Sequence, residues 1–195
     1  MMRYDEMIQP DNGQPATLIH IVDKESYASW HAAQPDAVRA ALRAQKFDGS
    51  ANGIAILPGE KPGEWAVAAG VTKTSKLGIW NLAKAADSLA EGTYRLANVD
   101  AGDAMLGWIL GQYRYHEYIS EPKLTGARIL LVQEPGRIQG AVQQARATAL
   151  VRDLVNRPAG DMGPSALEFE TKRIAKLHKA QLVVTQGTAL ETGFP

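Results

Sequence analysis

The run Ala127-Arg-Ile-Leu-Leu-Val132 decides the fold class. Its apolar residues are nearly continuous, the pattern of a strand covered on both faces, as in parallel sheets. An Ala-rich segment over 137–155 follows and reads as one long helix. Working back toward the N-terminus, strand and helix patterns alternate. Thr17-Leu-Ile-His-Ile-Val22 is a β-type run that ends at Asp23. Residues 26–31 and 36–46 read as helices broken at Pro35, with Val38, Ala41 and Leu42 on one face. Residues 53–57 and 65–69 flank a turn rich in Gly, Pro and charge, which predicts a hairpin. Helical spacing returns over 77–88, a strand over 93–97, and a helix opening at Asp100 or Gly102 and running to Tyr115. Residues 1–16, punctuated by Pro10, Gly13 and Pro15, read as an irregular arm.

Working forward, the long helix breaks at Asn156-Arg-Pro158-Ala-Gly160, and Pro164 sits at the first turn of a helix over 165–179. A strand over 181–185 and a helical stub over 188–191 follow. The alternation predicts an α/β fold with a mixed, largely buried sheet. The strand over 181–185 reads as the opening of a second unit whose remainder is missing.

Composition removes several function classes. The 195 residues carry 21 basic and 21 acidic side chains, and splitting at residue 98 gives 10 against 11 and 11 against 10. A polyanion partner therefore has no electrostatic footprint at this level. There is no cysteine, which excludes disulfides, thiolate catalysis and iron–sulfur clusters and fits a reducing cytosol. The polar N-terminus lacks the apolar run of a secretory signal, and no stretch approaches a bilayer span. A soluble, cytoplasmic chain with no membrane partner is expected.

No catalytic constellation is legible. His20, His31, His116 and His178 are too far apart for a metal-ligand motif. Asp100 and Asp103 read as helix caps rather than cation ligands, and Asp161 before Met162-Gly163-Pro164 likewise. Ser75, Ser88, Ser120 and Ser165 lie in no nucleophile elbow. Gly107 and Gly111, four apart on a helix, predict close approach of another backbone. Gly70 ends a strand and could line a cleft. Trp108, Tyr113 and Tyr115 read as packing residues along one helix. Lys172, Arg173, Lys176 and Lys179 cluster on the last long helix, with 172, 176 and 179 on one face.

The stretch Val151-Arg-Asp-Leu-Val-Asn156-Arg-Pro158-Ala-Gly-Asp161-Met162-Gly-Pro164 resembles the linker of the cytosolic leucyl aminopeptidases. Asn156, Pro158, Asp161, Met162 and Pro164 carry that likeness; Arg157 and Gly160 depart from the more usual Thr and Asn. Leu106-Gly-Trp-Ile-Leu-Gly111-Gln-Tyr113-Arg-Tyr115 resembles the family's Gly-rich helix, and Glu91-Gly-Thr-Tyr-Arg-Leu96 the strand before it. Gln9-Pro-Asp-Asn-Gly-Gln-Pro15 and Ala44-Gln-Lys-Phe-Asp48 resemble the proteobacterial form.

The resemblance implies a macro-domain-like mixed sheet flanked by helices over 1–135, a linker helix and turn over 136–160, and the start of a catalytic domain over 161–195. It implies a two-metal exopeptidase, using manganese or zinc, that removes N-terminal residues from peptides and assembles as a homo-hexamer. The family's Asn-Thr-Asp-Ala-Glu-Gly-Arg signature is absent from these residues, so no catalytic or metal-binding residue is assigned and no cofactor is expected in this segment. Its expected partner is its own C-terminal catalytic domain. Two other readings stand beside this one. One is a free-standing macro-like module binding ADP-ribose near Gly70. The other is a DNA-binding module using Lys172, Lys176 and Lys179, which the zero net charge disfavours.

Overall fold

A computed structural model describes residues 3–59, 61–121 and 126–193. Two compact units are present, Met1–Leu150 and Val151–Pro195.

The first unit is built on strands β1 (Ile8–Pro10), β2 (Thr17–Val22), β3 (Ile54–Pro58), β4 (Trp65–Gly70), β5 (Gly92–Leu96) and β6 (Arg128–Val132). They form one six-stranded sheet in the order β1-β6-β5-β2-β4-β3, parallel except for the β3–β4 hairpin. The predicted mixed α/β architecture is therefore the observed one.

Helices α1 (Lys24–Ala32), α2 (Asp36–Ala44), α3 (Ala83–Ser88) and α4 (Ala104–Gly111) join the strands. The long helix α5 (Pro135–Asn156) follows β6. Alternation along each strand splits the core in two. Ile19, Ile21, Val67, Tyr94 and Leu130 pack on one face with Leu82, Trp108, Ile109 and Ala145. Val22, Ala55, Leu57 and Ala68 pack on the other with Val38, Leu42 and Phe47.

Helix α2 shows how local sequence fixes an element boundary. Phe47 N–H bonds the Leu42 carbonyl at 3.0 Å and Lys46 N–H the Arg43 carbonyl at 3.1 Å, while Lys46 takes φ 54°. That is a Schellman stop with a lysine where glycine is favoured, and buried Phe47 meets Leu42 across it.

Four expectations are corrected. The arm is not irregular throughout: Tyr4–Glu6 is a 3-10 turn and β1 is an edge strand parallel to β6. A three-residue strand is too short to show a period, and what anchors it is the burial of Ile8 and of Met7 just before it. The helix over 77–88 forms only as α3, because Asn81 Oδ1 accepts the Gly78 N–H at 2.7 Å and closes a turn first. Helix α4 stops at Gly111, so Tyr113 and Tyr115 do not continue the helix of Trp108. Its end turns aside because the Gln112 side chain is drawn to Arg128 of β6.

The fourth correction lies in the second unit, which comprises the end of α5, α6 (Pro164–Leu177) and α7 (Thr188–Gly193). Residues 181–185 form no strand, since a β run without a neighbouring strand has no ladder for its N–H and C=O groups. Among the described residues from 151 to 193 none is buried.

Candidate functional site

In an open α/β sheet, ligands bind outside the carboxyl ends of parallel strands, where the strand order reverses. Here that place lies between β2, whose chain leads toward β4, and β5, whose chain leads toward β6. Protein groups already fill its first positions. The Asn98 amide accepts the Ile21 N–H and donates to the Ile21 carbonyl, each at 3.0 Å, continuing the β2 ladder beyond the end of β5.

Asp23, the residue after β2, is buried and fully engaged. It caps α1 through a reciprocal box with Ser26 (Ser26 N–H at 2.8 Å, Ser26 Oγ at 2.7 Å). Its other oxygen accepts the N–H and hydroxyl of Thr74, in the loop after β4, at 2.7 and 2.8 Å. The Ser26 and Thr74 hydrogen bonds hold its carboxyl well below the usual carboxylate range. One side chain thus fixes the ends of β2, α1 and the β4 loop together.

Beside these residues the loop after β4 and the start of α5 border an open cleft of about 460 Å³, lined by Thr74, Lys76, Asp100, Asp103 and Arg137. A second cleft of about 470 Å³ shares Asp103 and Arg137 and is bordered by Ile79, Leu106 and Ala141. Arg137 spans Asp103 at 2.5 Å and Glu134 at 3.1 Å, so its charge is matched within the protein. Asp103 stands at the cap position of α4 but makes no capping bond; its carboxylate serves Arg137 instead.

The glycines named from sequence have mainly packing roles. A Cβ on Gly107 would overlap the Ile79 carbonyl oxygen, and one on Gly111 the Ala83 carbonyl oxygen, so α4 lies against the 79–83 backbone as expected. A Cβ on Gly70 would overlap the Ser50 carbonyl, so that glycine packs against the 49–50 turn. Ile79 and Trp80, carried on this braced turn, are exposed.

The four histidines sit on separate elements. His20 lies on β2 with its ring 5.8 Å from Trp30, and burial lowers its pKa. His31 ends α1 beside Tyr27, and His178 caps α6 at its C-terminus. His116 lies beyond α4, with Nδ1 buried and no hydrogen-bond partner among the described residues. Among the described residues no group of three or more His, Asp and Glu could hold a metal ion. The described residues therefore do not fit the two-metal centre that the resemblance implies. Among the described residues, no helix is long and apolar enough to cross a membrane.

The linker residues lie between α5 and α6. The Pro158 carbonyl accepts the N–H groups of Asp161 and Met162, both at 2.9 Å. Asn156 ends α5, Gly163 is the N-cap of α6, and Pro164 occupies its first turn. Of the basic cluster, Lys172 pairs with Glu168 at 2.5 Å and Arg173 with Glu170 at 2.8 Å. Lys176 is in the last turn of α6, and Lys179 follows the helix with φ 53°.

Sequence reasoning missed Asp23, Thr74 and Asn98. Asp23-x-x-Ser26 was the available signal for the first; nothing local marks the other two.

Comparison with known proteins agrees with this fold. Residues 17–131 match the family described as M17 aminopeptidase, N-terminal domain. A probable cytosol aminopeptidase of Mycobacterium sp. (strain JLS) is 27% identical over 91% of this chain and 40% of its own length. The cytosol aminopeptidase from Coxiella burnetii superposes with a TM-score of 0.79 at 25% identity, covering 97% of this chain and 42% of its own. The bottromycin maturation enzyme BotP, solved in complex with Mn, shares the fold with a TM-score of 0.67 at 22% identity, over 91% of this chain and 39% of its own. The chain thus spans about two fifths of the length of the relatives it matches. Over more than half of its residues it carries the family's pattern, and it belongs to the M17 aminopeptidase N-terminal domain family.

Proposed function

We propose that residues 1–195 are the non-catalytic N-terminal part of a two-metal aminopeptidase that releases N-terminal residues from peptides in the cytoplasm. In this reading 1–135 is a macro-like domain, 136–160 a linker helix and turn, and 161–195 the start of the catalytic domain. The catalytic domain supplies the manganese or zinc ligands, and the whole protein assembles as a homo-hexamer. The N-terminal domain supports that assembly and shapes access to the active site.

The observation that carries the reading is the match itself, nearly the whole of this chain against only 40% of a probable cytosol aminopeptidase. The second unit adds physical support. None of its described residues is buried, and Val155, Phe169, Leu177 and Val183 are exposed, which fits a segment whose covering partner lies in a longer chain. The apolar run over 181–185 would become a strand once a neighbouring strand from the longer chain reaches it.

The test is hydrolysis of a leucyl anilide with manganese or zinc, by residues 1–195 and by the full-length protein. The longer protein is expected to release leucine and the shorter one to release none. Metal-dependent release by pure 1–195 overturns the proposal. So does a natural product whose mass in lysate of the source organism is 21.1 kDa.

A further inference from the structure

Strand β3 forms one margin of the sheet. Its bonds to β4 alternate: the Gly70 N–H bonds the Gly53 carbonyl at 2.8 Å, and the Gly59 N–H bonds the Glu64 carbonyl at 2.9 Å. The pleat therefore turns the backbone groups of Ile54 and Ile56, and the Pro58 carbonyl, away from β4. Ile56 is 44% exposed. An outer row of this kind, with β-branched residues, is a template for another strand.

One side chain occupies its centre. Gln45 Oε1 accepts the Ile56 N–H at 2.9 Å, and Gln45 Nε2 donates to the Ile56 carbonyl at 2.7 Å. Gln45 is the C-cap of α2, and the Schellman stop at Lys46 and Phe47 holds it there.

We propose that Gln45 is a lock on this edge, and that the occupant it excludes is a second copy of this chain, paired β3 to β3 and antiparallel. Self-complementarity selects that occupant. About a two-fold axis at Ile56, each Ile56 N–H meets the other copy's Ile56 carbonyl, and each Ile54 N–H meets the other copy's Pro58 carbonyl. Pro58 has no N–H, so each outer pair makes one bond and the Ile54 carbonyl at the limit of this register stays with water. Gln45 takes the central pair of groups on each copy, and the two outer bonds that remain are separated by a blocked stretch. The lock is a property of the unit Met1–Leu150, whatever follows it in a longer chain.

The test is Gln45→Met, which keeps the side-chain length and removes both bonds. Light scattering on a sizing column would follow its mass over a hundredfold range of concentration. The variant is expected to gain a species of twice the wild-type mass that grows with concentration. The added change Ile56→Lys, which sets two cations against each other at the axis, should remove that species. A variant with the wild-type mass at every concentration overturns the proposal, as does a doubled species that survives Ile56→Lys. Should the Met variant fail to fold, Gln45→Ala, which also removes both bonds, is read in the same way.

Discussion

The Arg95 guanidinium clasps the Asp11 carboxylate with Nε at 2.6 Å and Nη2 at 2.8 Å, 84 residues apart in sequence. Asp11 follows β1 and Arg95 lies on β5, with β6 between them, so the pair bridges three strands. Arg95 also donates to the Gln14 carbonyl at 2.8 Å, and Gln133 donates to Asp11 at 2.9 Å. The chain between β1 and β2 thus crosses the sheet on a charged pin rather than on a helix.

Acid should loosen this pin and the Asp23 junction together. Hydrogen bonds from Arg95 and Gly13 lower the Asp11 pKa, and those from Ser26 and Thr74 lower that of Asp23. A depressed folded-state pKa gives stability that is complete above the unfolded value, about 4, and is lost as pH falls through the folded one. The urea midpoint should therefore be level with respect to these groups from pH 5 to 7 and fall below about pH 4. Asp23→Asn should flatten that acid limb; an unchanged limb would contradict the assignment.

Two helical glycines should respond to alanine with opposite signs. At Gly107 the new methyl meets the Ile79 carbonyl, and overpacking against backbone should cost about 3 kcal/mol. At Gly140 of α5 nothing lies within 4 Å, so alanine should stabilise by about 0.5–1 kcal/mol through helix propensity. Denaturant titrations of the two variants check this directly.

Gln112 should be costly to replace by leucine. Its buried amide accepts the Arg128 N–H and donates to the Arg128 carbonyl, both at 2.9 Å. Trp108 Nε1 also reaches that carbonyl, at 2.9 Å, so the oxygen keeps a partner while the N–H loses its own. A loss of about 2 kcal/mol is expected from the stranded donor. Calorimetric melting would measure it.

Lys46→Gly should raise stability. Lysine at φ 54° carries a left-handed backbone cost of about 1–2 kcal/mol, partly offset by the greater unfolded-state freedom of glycine. The net gain should be roughly 0.5–1 kcal/mol. Thermal unfolding should shift upward by a few degrees, and a downward shift would show that Lys46 makes compensating contacts.

Local pattern revealed most of the elements because it reports burial of each strand and helix face. The sequence pattern matches β2 over Thr17–Val22 to the residue, and the hairpin and α5 to within two residues. Leu77-to-Ser88 misled because its apolar spacing serves a braced turn first and α3 only afterwards. The run over 181–185 misled because strand propensity needs a partner to become a strand. At the carboxyl ends of the sheet Gly70 packs against the 49–50 turn, whereas Asn98, Asp23 and Thr74 close the sheet.

The sequence by itself determined the alternation of strands and helices, the glycine spacing on α4, and the linker motif that carries the family likeness. Each is written in residues close enough to be read together. Only the tertiary structure decided which side chains finish the sheet. Gln45 serves Ile56 across 11 residues, Gln112 serves Arg128 across 16, and Asn98 serves Ile21 across 77. A strand that outruns its neighbour leaves N–H and C=O groups without a ladder, and a carboxamide carries one acceptor and one donor side by side. Which amide fills each gap depends on where the fold brings it, and no local pattern encodes that.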